Sequence, residues 1–486
     1  MSFITTILRR LIAFGMLLFL LATVPLKSAA VGLLAAATVN KQVCDSLLQS
    51  FHQPIFEQAE NYWRRTITKD TPVNQVLKAM ELVSSVKDTQ TIAIRTKIGP
   101  NKNKIENFHR ARLYPAEGQE VGVMILLGGL SRSLEAMHHD FQALILEQQK
   151  HGLSVITLEA LGQGLSHVVR HLREGHLDHQ DAIDFETVQA PSTAKALQEA
   201  LIRLGYLASA TATAKRPIYL AGESYSGQLT ARLAMDLPRL FTSWTTAVSG
   251  CVNTTALIFK PWAARSTFQW IASKQRGRQQ KKELHQQYYT DDLFSSTADL
   301  VEKQFPHLQQ DRLVRNGVVR MINGMLLSSA FEDIRQMPSD LQKNILIAEN
   351  DEILPPIVHY WMHALAFKIN PATARLIVVR GMNHHMLNHA SAHLNKLFGK
   401  VATRQKDADL NASGVYEFYP KTGSLKPLSW AEFKAWVLNR SNEWIKDVRR
   451  ANPGALAVLN DVFFESELTI APEWVGINGL REPRFH

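Results

Sequence analysis

Residues 217–227, reading PIYLAGESYSG, put Ser224 at the apex of a turn built from small side chains. A serine hydroxyl is a poor nucleophile until a neutral imidazole accepts its proton. The imidazole in turn needs a carboxylate to fix its tautomer and stabilise its charged form. Both partner types occur downstream in short loops: the acids Glu349, Asp351 and Glu352, and the adjacent histidines His384 and His385. Together these residue types support acyl transfer through a covalent serine intermediate.

Such a serine has to be presented by a strand, a sharp turn and a helix in direct succession. The apolar run 218–221 has the length of a buried strand, and 228–237 carries apolar residues at helical spacing until Pro238 stops it. A turn this tight strains its apex and admits only small neighbours, a need met by Gly222, Ser226 and Gly227. The continuous apolar run 121–127 reads as a strand buried on both faces, 153–158 and 344–348 as further buried strands, and 241–249 and 375–379 as strands of the same series. Helical patterns at 134–149 and 194–207 lie between them, while 91–98 and 107–114 alternate like antiparallel edge strands. Alternation of this kind predicts an α/β class, a mostly parallel central sheet with helices on both faces.

Several loops resemble those of one family. GESYSG is similar to the GxSxG nucleophile elbow of the α/β-hydrolases, with Ser226 where glycine is commoner. ILLGGLS stands where that family has an apolar strand ending in His-Gly, with Gly128 in place of the histidine. EALGQGLS resembles its DxxGxGxS loop, with Glu159 in place of the aspartate. Asp351, Ile353 and Pro355 fall on a pattern like GxxDxIxP, and Gly381-Met-Asn-His384 on one like Gly-x-Gly-His. Over residues 91–399 the chain thus resembles α/β-hydrolase serine hydrolases, in the order Ser224, Asp351, His384 that their topology requires.

The resemblance implies an α/β-hydrolase fold with an inserted helical cap and a triad of Ser224, Asp351 and His384. Glu349 and Glu352 stand as alternative acids and His385 as the alternative base. It implies an oxyanion hole from the backbone N–H groups of Tyr225 and Leu130, and no cofactor. Lipase, lysophospholipase or other carboxylesterase action on a small-molecule or lipid ester is the expected activity. GESYSG is also similar to the GESYAG of serine carboxypeptidases, in which a glutamate at the position of Glu223 helps hold the substrate carboxylate, so a peptidase stays open. So does a non-catalytic envelope binding protein retaining the fold.

Composition bounds the rest. A hydrophobic content of 45% and a charged content of 20% are ordinary globular values. The formal charge of +10 is spread along the chain, apart from Lys274, Arg276, Arg278, Lys281 and Lys282, which read as a solvated helix face or a contact for anionic lipid. No nucleic-acid partner is expected. Arg9 and Arg10 precede an apolar run, 11–24, and then Ser28-Ala29-Ala30, the parts of a secretory signal peptide. The alternative is an anchor running on through 29–39, which would hold Lys27 in the membrane at about 2.5–3.5 kcal/mol. Either reading expects export to the periplasm, the outer face of the membrane or the exterior, with membrane association if the segment stays. The two cysteines, Cys44 and Cys251, leave a disulfide open.

The histidines between His167 and His179, and the stripe His385, His389, His393, match no ligand motif, so no metal is expected. The expected division is 1–39 signal peptide or anchor, 40–90 helical segment, 91–251 first part of the core and 252–340 cap. The second part of the core follows at 341–404, and a C-terminal extension at 405–486.

Overall fold

The computed structural model describes residues 67–440 apart from 83–85, 99–104, 130–131, 162, 167–168, 170–184, 249–329, 352–358, 360–361, 364–365, 368, 389, 404–410, 412 and 438. The expected signal or anchor segment, the cap with its basic cluster, most of the histidine-rich loop, both cysteines, Leu130, Glu352 and the chain beyond 440 therefore lie outside the described residues.

Among the described residues one ten-stranded sheet forms the core. β1 (Gln90–Ile98) and β2 (Ile105–Tyr114) form an antiparallel hairpin, and β2 lies antiparallel on β4 (Leu153–Leu158). From β4 the sheet is parallel through β3 (Gly122–Leu127), β5 (Ile218–Glu223), β6 (Ser243–Ala247), β7 (Gln342–Ala348) and β8 (Ala374–Val379). Every residue of β3 to β8 is buried, which is why β3, β4, β5 and β8 read as largely apolar runs rather than alternations, while β6 and β7 also bury Ser243, Thr245, Thr246, Gln342, Lys343 and Asn344.

Two apolar layers cover the sheet. On one side α4 (Ala190–Arg203), α5 (Tyr225–Asp236) and α6 (Ala330–Gln336) pack Leu197, Leu229 and Ile334 against Ile125 and Ile345. On the other, α2 (Leu134–Asp140), α3 (Gln142–Lys150) and α7 (Ala392–Thr403) pack Met137, Ile145 and Phe398 against Met124 and Leu346. The single helix expected over 134–149 is two, broken at the buried Phe141, whose ψ of 11° leaves the helical range. α1 (Val73–Leu82) covers β1 with Val76 and Met80. This mostly parallel sheet with helices on both faces, entered through an antiparallel hairpin, is the α/β-hydrolase fold.

The division at 404 is corrected. β9 (Gly414–Tyr419) adds in parallel to β8 and β10 (Ser424–Pro427) pairs antiparallel with β9, so the core sheet continues to Pro427. The reason is burial: Val415, Tyr416 and Phe418 are too apolar to stand outside the core, and Gly423 at φ 71° allows the turn between the strands. Residues 430–437 are helical, and Phe433 and Val437 join the same apolar layer as Leu376 and Val378. Ser429 accepts from Glu432 N–H (3.2 Å), and the Glu432 carboxylate accepts from Ser429 N–H (2.9 Å), a reciprocal cap at the helix start. Among the described residues no helix is long and apolar enough to cross a membrane, and no group of three or more His, Cys, Asp or Glu could hold a metal ion.

Candidate active site

β5 hands directly into α5, and Ser224 between them takes φ 50°, ψ −121°. A non-glycine residue held there costs on the order of 1–3 kcal/mol, which the surrounding contacts must outweigh. Ser224 N–H donates to the Ala247 carbonyl (3.0 Å), and the Ser224 carbonyl accepts from Gly227 N–H (2.9 Å). Position 222 must be glycine, since a Cβ there would lie 2.4 Å from the Ser226 carbonyl oxygen. Ser226, where glycine is commoner, donates its hydroxyl to the Gly128 carbonyl and so ties the elbow to the loop after β3.

The ends of β5, β7 and β8 bring the three sequence candidates together. His384 Nε2 lies 2.9 Å from Ser224 Oγ, and Nδ1 lies 3.0 Å from each carboxylate oxygen of Asp351. Nδ1–H donating to Asp351 leaves Nε2 as the acceptor for the serine proton. Asp351 and His384 are 3% and 4% exposed, so little water competes for this line. The alternative acid Glu349 is engaged elsewhere, accepting from Arg380 (2.8 Å) and from Gly381 N–H (2.7 Å). The alternative base His385 stands edge-on to His384 at 5.6 Å. Burial, with the charges of His384 and Arg132 adding to it, pushes its pKa down to about 3.

Tyr225 N–H opens α5 immediately after Ser224, and Leu130, its expected companion, lies outside the described residues. The loop between β3 and that position is tied at each peptide unit. Gly129 N–H donates to Glu223 Oε2 (3.2 Å), and the Gly129 carbonyl accepts from Gln163 Nε2 (2.9 Å). A Cβ at Gly129 would stand 3.1 Å from Ser224 Cβ, so glycine there lets the loop lie against Ser224. A Cβ at Gly128 would lie 2.8 Å from Arg132 Cβ and Cγ. Arg132 therefore fills the space that a side chain at 128 would need, which accounts for the departure from the His-Gly pattern.

Arg132 is itself 6% exposed and reaches three elements. It pairs with Asp140, lies 3.6 Å from Glu223, and donates to Asn388 Oδ1 (2.6 Å) in the histidine loop. Sequence reasoning missed Arg132, Gln163 and the bond from Ser226, because contacts between distant loops leave no periodic signal.

Glu159, which replaces the aspartate of the DxxGxGxS pattern, is fully buried. It accepts from Arg110 Nε (2.9 Å) and Nη2 (2.8 Å) and from Ser166 Oγ (2.8 Å). Arg110 also forks onto Glu135 (2.8 and 3.0 Å). Burial opposes the arginine's charge, yet the two carboxylates more than offset it and push its pKa up. Arg110 thereby joins β2 to α2 and to the loop that follows β4.

This site on this sheet defines a chain of the α/β-hydrolase fold carrying a Ser-His-Asp constellation at its elbow. No family model matches the sequence, and no curated protein does. Among solved structures it is similar to an α/β-hydrolase enzyme from a Medee basin deep-sea metagenome library, at 12% identity and TM-score 0.40, covering 63% of this chain and 97% of that one. It is also similar to a highly thermostable carboxyl esterase from Bacillus coagulans, at 11% identity and TM-score 0.40, covering 64% and 96%. A third is the thioesterase domain from the curacin biosynthetic pathway, at 11% identity and TM-score 0.36, covering 63% and 98%. The fold itself is read from this chain's own strand order and elbow.

Proposed function

We propose that the chain is a serine hydrolase that cleaves carboxylic esters through an acyl-enzyme on Ser224. The observation that carries this reading is the hydrogen-bonded line from Ser224 through His384 to Asp351, set on a strained elbow. In the proposed reaction Ser224 Oγ attacks the ester carbonyl carbon while His384 Nε2 takes its proton. Asp351 stabilises the resulting imidazolium. The tetrahedral oxyanion is met by Tyr225 N–H and, from its sequence position, Leu130 N–H. Collapse breaks the bond to the alkoxide oxygen, which leaves with the proton held by His384. Water then attacks the acyl-enzyme with His384 as base, releasing the acid and restoring Ser224.

Ester rather than peptide cleavage is supported by Glu223, which is 2% exposed and whose Oε2 accepts from Gly129 N–H, so little of it faces a substrate. Lipid acyl esters, reached outside the cytoplasm, are the proposed substrate class on the apolar residues of 252–340 and the N-terminal segment. The test is turnover of p-nitrophenyl butyrate and longer acyl esters beside blocked dipeptides. Ester turnover that falls by about 10³-fold or more in Ser224→Ala is expected. Peptide turnover exceeding ester turnover would overturn the ester assignment.

A further inference from the structure

We infer that the C-terminal segment, β9 with the helical residues that follow β10, positions the catalytic acid, with Arg440 and Arg380 as its grips. The inference rests on Asp351 being that acid. The peptide unit joining Glu349 to Asn350 is held at both ends. Its carbonyl accepts from Arg440 Nε (2.9 Å), while its N–H donates to the Met382 carbonyl in the histidine loop (2.8 Å). Arg440 Nη2 also donates to Asn350 Oδ1 (3.3 Å). Asp351 is the next residue, so fixing this planar unit fixes the backbone from which its carboxylate reaches His384.

A second grip lies alongside. Arg380, at the start of the loop that carries His384, donates to Glu349 (2.8 Å) and to Glu417 on β9 (2.9 Å), and lies over the Trp436 ring (5.5 Å). The helical residues can bear this role because the Ser429–Glu432 box starts them and Phe433 and Val437 anchor them in the core. Both arginines are partly exposed, so the ion pairs of Arg380 add little stability. What their planar, fixed donors supply is direction.

Loss of Arg440 frees the acid turn, and the imidazole loses part of the carboxylate that favours its charged form. The acid limb of kcat/KM then moves to lower pH. The other charged and titratable groups bearing on this loop are His385 beside His384, Arg132 from the β3 loop and Glu223 before the elbow, and the substitution leaves all of them in place.

The experiment measures kcat and KM for p-nitrophenyl butyrate across pH in the full chain and in Arg440→Ala, with thermal unfolding alongside. A folded variant is expected, with kcat lower by about 10- to 100-fold. Its acid limb is expected about half a pH unit lower. Arg440→Lys, which keeps the charge but loses the planar fork, is expected between the two, and it carries the measurement if Arg440→Ala does not fold. Unchanged activity in a folded variant overturns the inference. So does lowered activity with an unmoved acid limb, which reports only less active protein. Asp351→Asn run in parallel separates the two readings. If it too is fully active, the acid assignment has failed; if it is inactive while Arg440→Ala is normal, only the brace has failed.

Discussion

Two charged networks brace the site, and they differ in how much water reaches them. Under the loops that follow β3 and β4, Arg110 and Glu159 are 0% exposed, and of their partners Glu135 reaches water at 21%. Beside the acid turn, Arg380 is 16%, Glu349 29% and Glu417 14% exposed. A buried charge that loses its partner has nowhere to put its field, whereas a half-exposed one turns to solvent. The first network is therefore part of what keeps the chain folded, and the second part of what keeps two loops in register.

The largest expected effect follows from breaking the buried side. Arg110→Met leaves Glu159 buried with its charge uncompensated and should cost about 3–5 kcal/mol in denaturant unfolding. A loss below about 1 kcal/mol would erase the contrast between the networks. Arg110→Met with Glu159→Leu, which removes both charges, should recover much of the loss.

Next comes His109, beside Arg110 on β2, whose Nε2 lies 2.7 Å from Ser192 Oγ. Burial pushes its pKa down from 6.5 to about 4, partly opposed by the Glu159 carbonyl. The unfolded chain then binds a proton that the folded chain refuses between those values, so stability is full above about pH 6.5 and falls as pH drops toward 4. The span corresponds to about 3 kcal/mol, and unfolding of His109→Asn across this window should show a correspondingly shallower slope. A slope unchanged by the substitution would mean that the buried network takes up protons without penalty.

The smallest effect is expected on the wet side. Glu417→Gln removes one partner of Arg380 and should change stability by less than about 1 kcal/mol, because solvent and Glu349 remain. A thermal unfolding shift as large as that of Arg110→Met would show that exposure does not separate the two networks.

Much of this arrangement was legible in the sequence where chemistry and strand ends coincide. Ser224, Asp351 and His384 were readable because each sits in a short polar loop after a buried apolar run, and parallel pairing puts those ends along one edge. What stayed hidden was the fastening. Gly128 looked like a missing histidine, and only the packing shows Arg132 in its space. The run 414–419 carried a strand signal in Val415, Tyr416 and Phe418, and Gly423 a turn signal. That signal does not say which sheet the strand joins, since its partner β8 lies on the far side of the histidine loop. Arg440 has no local signature at all, since its partner lies 91 residues upstream.

The most direct test of the central claim is covalent labelling with a fluorophosphonate, with the modified peptide identified by mass spectrometry. One phosphonyl group on Ser224 is expected in the folded full-length chain, absent in Ser224→Ala and slowed in His384→Ala and Asp351→Asn. A folded wild-type chain that takes no label, or takes it at another serine, would contradict the assignment of Ser224 as the nucleophile.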